Sequence, residues 1–126
     1  MFSSQAANAG IKTDVYAAYA DQQIGYMLGD SGRSFVVGFG ANYPLQPHHK
    51  AAACESFPAE CTWATFNDTS NNNPHQLNGA LVGGPRYAND QYQDDRTDYI
   101  MNEVTLDYNA GFQSAVAGLK TRACMG

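Results

Sequence analysis

Basic residues are scarce in this sequence and do not form a cluster. The 126 residues contain seven Lys and Arg against twelve Asp and Glu, which leaves a formal net charge of -5. A protein whose main partner is nucleic acid or an anionic membrane carries a basic patch that neutralises phosphate groups. The composition therefore argues against both kinds of partner.

Long apolar runs are also missing. No stretch approaches the roughly 20 apolar residues that a membrane-spanning helix needs. The N-terminal segment MFSSQAANAG has neither the charged start nor the apolar core of a signal peptide. The length fits one small domain, long enough for a core of its own.

Cysteine is rare, and its positions leave two alternatives open. Cys54 and Cys61 are close enough to bridge a short loop, whereas Cys124 is left over. Free cysteines are also common at buried sites. The sequence NDT at Asn67 is an acceptor pattern for N-glycosylation, although such patterns also arise by chance. From these features we expect a secreted protein whose signal peptide is not part of this chain.

The chain reads as a helix, a long irregular middle and a second helix. Apolar residues at helical spacing predict a first helix over 13–28, with Thr13 as the N-cap and Gly29 as the stop. SFVVGFG, residues 34–40, is a short apolar run that fits either a strand or a buried loop. Residues 41–98 are rich in Asn, Pro, Gly, Asp and Tyr, and a loop of this length usually carries function.

The second helix is predicted from a stripe of apolar or small residues: Ile100, Val104, Tyr108, Gly111, Ala115 and Leu119. We expect this helix to end near 120–122. Glu103 borders the stripe, with Tyr99 one turn before it and Asp107 one turn after it. Burial and a neighbouring like charge both disfavour an ionised carboxyl, so Glu103 is a candidate proton donor near neutral pH. The plain alternative is a solvated helix face, where most glutamates lie.

Two helices separated by so much loop make a poor isolated core. Their apolar stripes need partners that the rest of the chain does not obviously supply. We therefore expect residues 1–126 to be a piece of a larger protein.

Two segments resemble the signature segments of glycoside hydrolase family 9, the inverting endoglucanases (cellulases). They are SFVVGFGANYPLQPHHK, residues 34–50, and YQDDRTDYIMNEVTLDYNA, residues 92–110. LNGALVGGP, residues 77–85, resembles the segment that lies between them. The resemblance implies an all-α fold, the C-terminal part of an (α/α)6 barrel with long irregular loops that form a substrate cleft. Residues 1–126 are then a partial catalytic domain that lacks the N-terminal part of the same barrel.

The function implied by the resemblance is hydrolysis of internal β-1,4-glucosidic bonds in cellulose and related β-glucans by an inverting acid/base mechanism. The family's catalytic residues fall on Glu103, which protonates the glycosidic oxygen, on His48, which hydrogen-bonds sugar hydroxyls, and on Asp94, which positions acid and substrate. The candidate substrate-binding residues are Lys50, His49, Tyr99 and Trp63. Aromatic rings stack on glucose rings, and Tyr43 and Tyr92 are further candidates for this role. We expect no cofactor and no metal.

The chain departs from the family pattern in two ways. Position 50 usually carries Arg, and Lys50 lacks the planar fork of donors that a guanidinium offers, so its contacts to substrate are expected to be looser. An inverting enzyme also needs a second carboxylate, roughly 6.5–9.5 Å from the acid, to activate water. In the family that base lies near the N-terminal end of the domain, and this chain has no such segment. Asp94 and Asp95 approach from the acid's own side, which argues against either as a substitute.

Other interpretations stay open. His48 and His49 also fit a structural pair that caps loop backbone. The acids between Asp90 and Glu103 suggest a calcium loop, but no register places a glycine and a closing glutamate where such a loop needs them. An inactive fragment, or a carbohydrate-binding pseudo-enzyme module, would keep the cleft wall without the chemistry. Release of reducing ends from a soluble cellulose derivative, as against simple retention on cellulose, separates these functions.

Overall fold

The computed structural model describes residues 2–125. Its helices are α1 (Phe2–Asn8), α2 (Thr13–Leu28), α3 (Lys50–Ala53), α4 (Trp63–Asn67), α5 (Tyr99–Asn102) and α6 (Leu106–Met125). Extended structure in the described residues is limited to two isolated bridges, Val36 to Leu81 and His48 to Glu103. The all-α prediction is confirmed. None of these helices combines the length and the apolar character needed to cross a membrane.

The first predicted helix matches α2 in both bounds, but its N-cap lies one residue earlier than expected. Lys12 is the N-cap, at φ 41°, and its carbonyl accepts the Tyr16 amide (3.1 Å). The prediction of Thr13 is wrong because the tight turn after α1 places the capping position on Lys12. Gly29 ends the helix at φ 118°, a left-handed conformation that glycine adopts at little cost.

Helices α1, α2 and α6 pack together, and we call them the helix group. α2 turns its smaller side chains inward and buries Ala17, Ala20 and Ile24. Val15 and Tyr19, two larger apolar side chains of the same helix, are 66% and 54% exposed. The helix group therefore leaves large apolar side chains at the surface.

The best-buried apolar cluster lies in loops and not in the helices. It consists of Phe35, Val36, Val37, Leu81 and Val82, against which parts of α2 and α6 pack. The two loops are joined by amides of Val37 and Val82, which donate to the Ala80 and Phe35 carbonyls (2.9 and 3.1 Å). Of the two alternatives for SFVVGFG, the structure therefore selects a buried loop with a single bridge.

The prediction of one continuous second helix is wrong at its start. α5 ends at Asn102, Glu103 is extended at φ -65° and ψ 138°, and α6 begins at Leu106. The helix breaks because the Asn102 carbonyl accepts the His48 amide (2.7 Å), which draws the chain toward a distant loop. Glu103 and Asp107 consequently do not share a helix face, so the prediction that Asp107 lies one helical turn after Glu103 is wrong.

The long middle segment is ordered around two short helices. A disulfide joins Cys54, directly after α3, to Cys61, just before α4. The pairing that the sequence left open is therefore present, and Cys124 is free and exposed. We call residues 34–50, 77–85 and 92–105 the site loops, because they carry most of the candidate site.

Candidate active site

Backbone contacts bring the three predicted catalytic residues into one region. His48 and Glu103 are partners in a parallel bridge, within which the His48 amide donates to the Asn102 carbonyl (2.7 Å). Both carboxylate oxygens of Asp94 accept backbone amides from loop 45–46, at 2.7 and 3.0 Å. Asp94 thus fixes the loop that leads into His48, which agrees with a positioning role and leaves its carboxylate little freedom to act as a nucleophile or base.

The His48 ring is held in a defined orientation. Its Nδ1 lies 2.6 Å from the carbonyl oxygen of Arg96. Because a carbonyl can only accept, Nδ1 carries the proton and Nε2 is left for another ligand. Edge-on contacts with Phe66 and Tyr99, at centroid distances of 5.2 and 6.2 Å, support the ring from the sides.

His49 has a structural role that the sequence analysis kept as an alternative. It is the N-cap of α3, and its Nδ1 accepts the Ala52 amide (3.1 Å). The side chain is exposed. Only Nε2 of His49 is therefore left for a sugar hydroxyl.

The aspartates around the acid are engaged in local structure. Asp95 accepts two hydrogen bonds within its own turn, at 2.7 and 2.8 Å. Asp98 caps α5 and forms an ion pair with Arg86 (3.0 Å). Asp90 accepts the Tyr26 hydroxyl (2.7 Å), and burial, together with this bond, raises the pKa of Tyr26 to about 12. Within residues 2–125, no group of three or more His, Cys, Asp or Glu is arranged to hold a metal ion.

Glu103 differs from these aspartates. It is half-buried in the extended connection between α5 and α6, and its carboxyl forms no hydrogen bond with any other described residue. A carboxyl that is held by its backbone but unpaired at its oxygens is available for proton transfer.

A row of rings leads from His48 to the surface. Lys50 places its Nζ 4.3 Å from the centroid of the Trp63 ring. Trp63 in turn meets Phe66 edge-on at 5.7 Å, and Phe66 contacts His48. Trp63 and Tyr99 are 65% and 59% exposed, so both rings remain open to a ligand. The disulfide joins the end of α3, which begins with Lys50, to the segment just before α4, which begins with Trp63.

Arg96 is a site residue that the sequence analysis missed. Its side chain is only 2% exposed, and the guanidinium donates to the carbonyls of Asp68 (3.0 Å) and Asn71. Burial lowers the pKa of Arg96 from its usual value. An arginine in an acid-rich segment is usually exposed to solvent. No local sequence pattern predicts that Arg96 is buried.

Tyr92 is not a free stacking platform. Its ring packs edge-on against Phe35 at 5.4 Å, and its hydroxyl donates to the Asn102 side chain. Burial and the nearby Asp94 charge raise the pKa of Tyr92 well above its ordinary value, so the hydroxyl stays a donor. The sequence-based assignment of Tyr92 to sugar stacking is therefore replaced by a structural role.

Known proteins match this chain along most of its length. The family model described as glycosyl hydrolase family 9 matches residues 1–116. An endoglucanase of Dictyostelium discoideum is 50% identical over 105 residues, which cover 80% of this chain and 14% of that protein. Endoglucanase B of Cellulomonas fimi is 49% identical over 106 residues, which cover 82% of this chain and 10% of that protein.

Solved structures agree with the sequence matches. An endoglucanase of the termite Nasutitermes takasagoensis, at pH 2.5, superimposes with a TM-score of 0.87 and 55% identity, over 93% of this chain and 27% of the termite chain. Endoglucanase CelQ of Clostridium thermocellum, in complex with cellobiose and cellotriose, gives a TM-score of 0.73 and 42% identity, over 90% of this chain and 18% of that chain.

The chain thus spans a small part of each of these proteins, from 10% to 27% of their length. A family match along residues 1–116, together with relatives at about 50% identity, establishes the relationship. The helices described above correspond to part of an (α/α)6 barrel. This chain belongs to glycosyl hydrolase family 9.

Proposed function

We propose that this chain forms part of a catalytic domain that hydrolyses internal β-1,4-glucosidic bonds in cellulose and related β-glucans, with Glu103 as the general acid. One observation carries the proposal. Among the acids from Asp90 to Glu103, every aspartate carboxyl is bonded to a structural partner, whereas the Glu103 carboxyl has none among the described residues. The residue that matches the family's acid is thus also the one free to give a proton.

The mechanism needs a second carboxylate. In an inverting reaction Glu103 protonates the leaving glycosidic oxygen while a base, roughly 6.5–9.5 Å away, takes a proton from the attacking water. Asp94 and Asp95 are poorly placed for this role, since their carboxylates already accept hydrogen bonds that hold the neighbouring loop and turn. We therefore infer that the base lies in a part of the domain outside residues 1–126.

The remaining candidates would bind the sugar. His48 would use Nε2 toward a sugar hydroxyl, because Nδ1 is committed to the Arg96 carbonyl. Lys50 would donate to hydroxyls beside Trp63, and the exposed ring of Tyr99 offers an apolar surface for a glucose ring. Endoglucanase CelQ has been solved with cellobiose and cellotriose, which supports a β-glucan as the ligand.

A larger domain and secretion belong to the same proposal. Relatives that are several times longer, and the apolar side chains exposed on the helix group, support a domain completed by further barrel helices. The disulfide between Cys54 and Cys61 supports an oxidising compartment, as expected for a secreted protein.

The test uses a completed domain, made by replacing the matched 27% of the termite endoglucanase with this chain. Glu103→Gln should lower kcat on carboxymethylcellulose by about 10²- to 10⁴-fold while KM changes little, because proton donation is lost and binding is kept. Glu60→Gln is the matched control, since Glu60 is exposed on the disulfide loop, and it should turn over like the wild type.

Two outcomes would oppose the proposal in different ways. Turnover by Glu103→Gln at the wild-type rate would remove Glu103 from the role of acid. Retention of the completed domain on cellulose without any reducing ends would favour a carbohydrate-binding module instead of an enzyme.

A further inference from the structure

Asn102 is a polar residue without exposed surface at the end of α5. Its side-chain carbonyl accepts the Tyr92 hydroxyl, and its side-chain amide donates to the backbone carbonyls of Gln93 (2.9 Å) and Asp98 (3.2 Å). A buried amide is unfavourable unless its groups are paired, and both groups of this amide have partners. The geometry of Asn102 is therefore set from three directions.

The same residue touches the backbone next to each candidate catalytic residue. Its main-chain carbonyl accepts the His48 amide (2.7 Å), Glu103 follows it directly in the chain, and Gln93 precedes Asp94. A shift of Asn102 thus moves His48 and Glu103 together and disturbs the loop that holds Asp94.

Tyr92 links Asn102 to the core. The Tyr92 ring packs against the buried Phe35 at 5.4 Å, and the guanidinium carbon of Arg33 lies 5.3 Å from the ring centroid. Through this contact the connection between α5 and α6 is braced against the best-packed part of the molecule.

We propose that Asn102 is a positioning residue for the hydrolysis proposed above, and that it acts by holding Glu103 and His48 at a fixed separation and orientation. Asn102 is fully buried and does not contact the substrate. General-acid catalysis depends steeply on placement, and a displacement of about 1 Å costs roughly 10²-fold in rate. The inference rests on Glu103 being the acid. It predicts that replacing Asn102 lowers the same rate as replacing Glu103, but by a smaller factor.

The experiment compares two substrates in the completed domain. Cellotetraose has a poor leaving group that needs a proton, whereas dinitrophenyl cellobioside has a leaving group that departs without one. Asn102→Ala should lower kcat on cellotetraose by roughly 10²-fold and lower kcat on dinitrophenyl cellobioside much less, because there only the contact of His48 with the sugar is disturbed. A purely structural defect would lower both rates alike.

Asn109 offers a matched control. Its side chain also ties a helix to backbone, with bonds to the Leu81 amide (2.9 Å) and to the Leu81 and Thr105 carbonyls (3.2 and 2.9 Å), but it does not bond to His48. Asn109→Ala should lower thermal stability in the same way as Asn102→Ala, yet it should affect the two substrates equally.

A milder variant covers the case in which Asn102→Ala does not fold. Tyr92→Phe keeps the ring and removes one hydrogen bond, so it should lower kcat on cellotetraose by about threefold to tenfold and spare dinitrophenyl cellobioside. Equal losses on both substrates in Tyr92→Phe, or a substrate difference in Asn102→Ala no larger than in Asn109→Ala, would overturn the inference.

Glu103→Gln in the same assays separates this inference from the proposed function. If Glu103→Gln is selectively defective on cellotetraose but the Asn102 and Tyr92 variants are not, only the role of Asn102 is wrong. If Glu103→Gln is as active as the wild type on both substrates, the proposed acid is wrong and the positioning role is overturned with it.

Discussion

The site loops and the helix group are stabilised in different ways. The site loops bury polar residues, among them Ser34, Arg96 and Asn102, and each has hydrogen-bond partners within the chain. The helix group buries mainly small residues and exposes Val15 at 66% and Leu106 at 90%. The difference indicates that the site loops are held by hydrogen bonds within this chain, whereas the helix group leaves apolar surface that the proposed further barrel helices would cover.

The largest difference in stability between the two regions is expected when one glycine in each region is replaced by alanine. A Cβ at Gly83 would lie 2.2 Å from the Ile100 carbonyl oxygen, so Gly83→Ala must displace α5. We expect it to lower the free energy of unfolding of the completed domain by about 3 kcal/mol and to reduce turnover sharply. A Cβ at Gly111 in α6 meets nothing within 4 Å, and Gly111→Ala should gain about 0.5–1 kcal/mol from helix propensity. Thermal unfolding and reducing-sugar release measure both variants. Similar effects of Gly83→Ala and Gly111→Ala would contradict the expected difference between the two regions.

The second prediction concerns the surface of the helix group. If further barrel helices cover Val15, then Val15→Asn should destabilise the completed domain by about 1.5–3 kcal/mol, the value of a buried valine side chain. Asp21→Asn, at an exposed position about 120° around the same helix from Val15, should change stability by less than about 0.5 kcal/mol. Denaturant unfolding measures both variants. An unchanged midpoint for Val15→Asn would mean that Val15 stays exposed in the whole domain.

A smaller effect is expected at Trp63, which lies in α4 beside Lys50 of the site loops. Trp63→Leu removes the ring that faces Lys50 and should raise KM for cellotetraose by about fivefold with little change in kcat, while Trp63→Phe should keep part of the effect. Phe57→Leu is the control, since Phe57 is 96% exposed on the disulfide loop that precedes α4 and should leave KM unchanged. Steady-state kinetics that show a loss in kcat and not in KM would contradict a binding role for Trp63.

The smallest effect is expected from exchanging cations. Lys50→Arg restores the donor geometry usual in the family and should preserve kcat/KM or raise it by up to about threefold. Lys120→Arg, on the exposed surface of α6, should have no effect. A strong loss of kcat/KM in Lys50→Arg would show that the surrounding loop has adapted to lysine and its contact with Trp63.

Local patterns predicted α2 and most of α6, but they missed α1 and the short helices α3 and α4. α2 followed from helical spacing and from Gly29, because both are properties of neighbouring residues. The break between α5 and α6 did not follow, because it depends on a hydrogen bond between His48 and Asn102, which are far apart in sequence. Spacing alone cannot reveal such a bond, so a stripe that looks continuous was read as a single helix.

The candidate site was predicted only where the family motifs name residues. His48, Asp94 and Glu103 come from those motifs, and their side-chain roles stay predictions. Arg96 and Asn102 have no signal of their own, since polar residues in an acid-rich loop read as solvated until their burial is known. Arg96 and Asn102 are buried by tertiary contacts, which local sequence patterns do not predict.

If Glu103 is the acid and the base lies in another part of the domain, this chain needs the rest of the domain for turnover. The most direct test mixes residues 1–126 with the separately expressed remainder of the termite endoglucanase and measures reducing sugar released from carboxymethylcellulose. We expect no release from the chain alone, because its cleft lacks a water-activating carboxylate, and release from the mixture that disappears with Glu103→Gln. A chain that melts cooperatively as a monomer and hydrolyses the polymer by itself in a Glu103-dependent manner would show that the base does not lie outside residues 1–126.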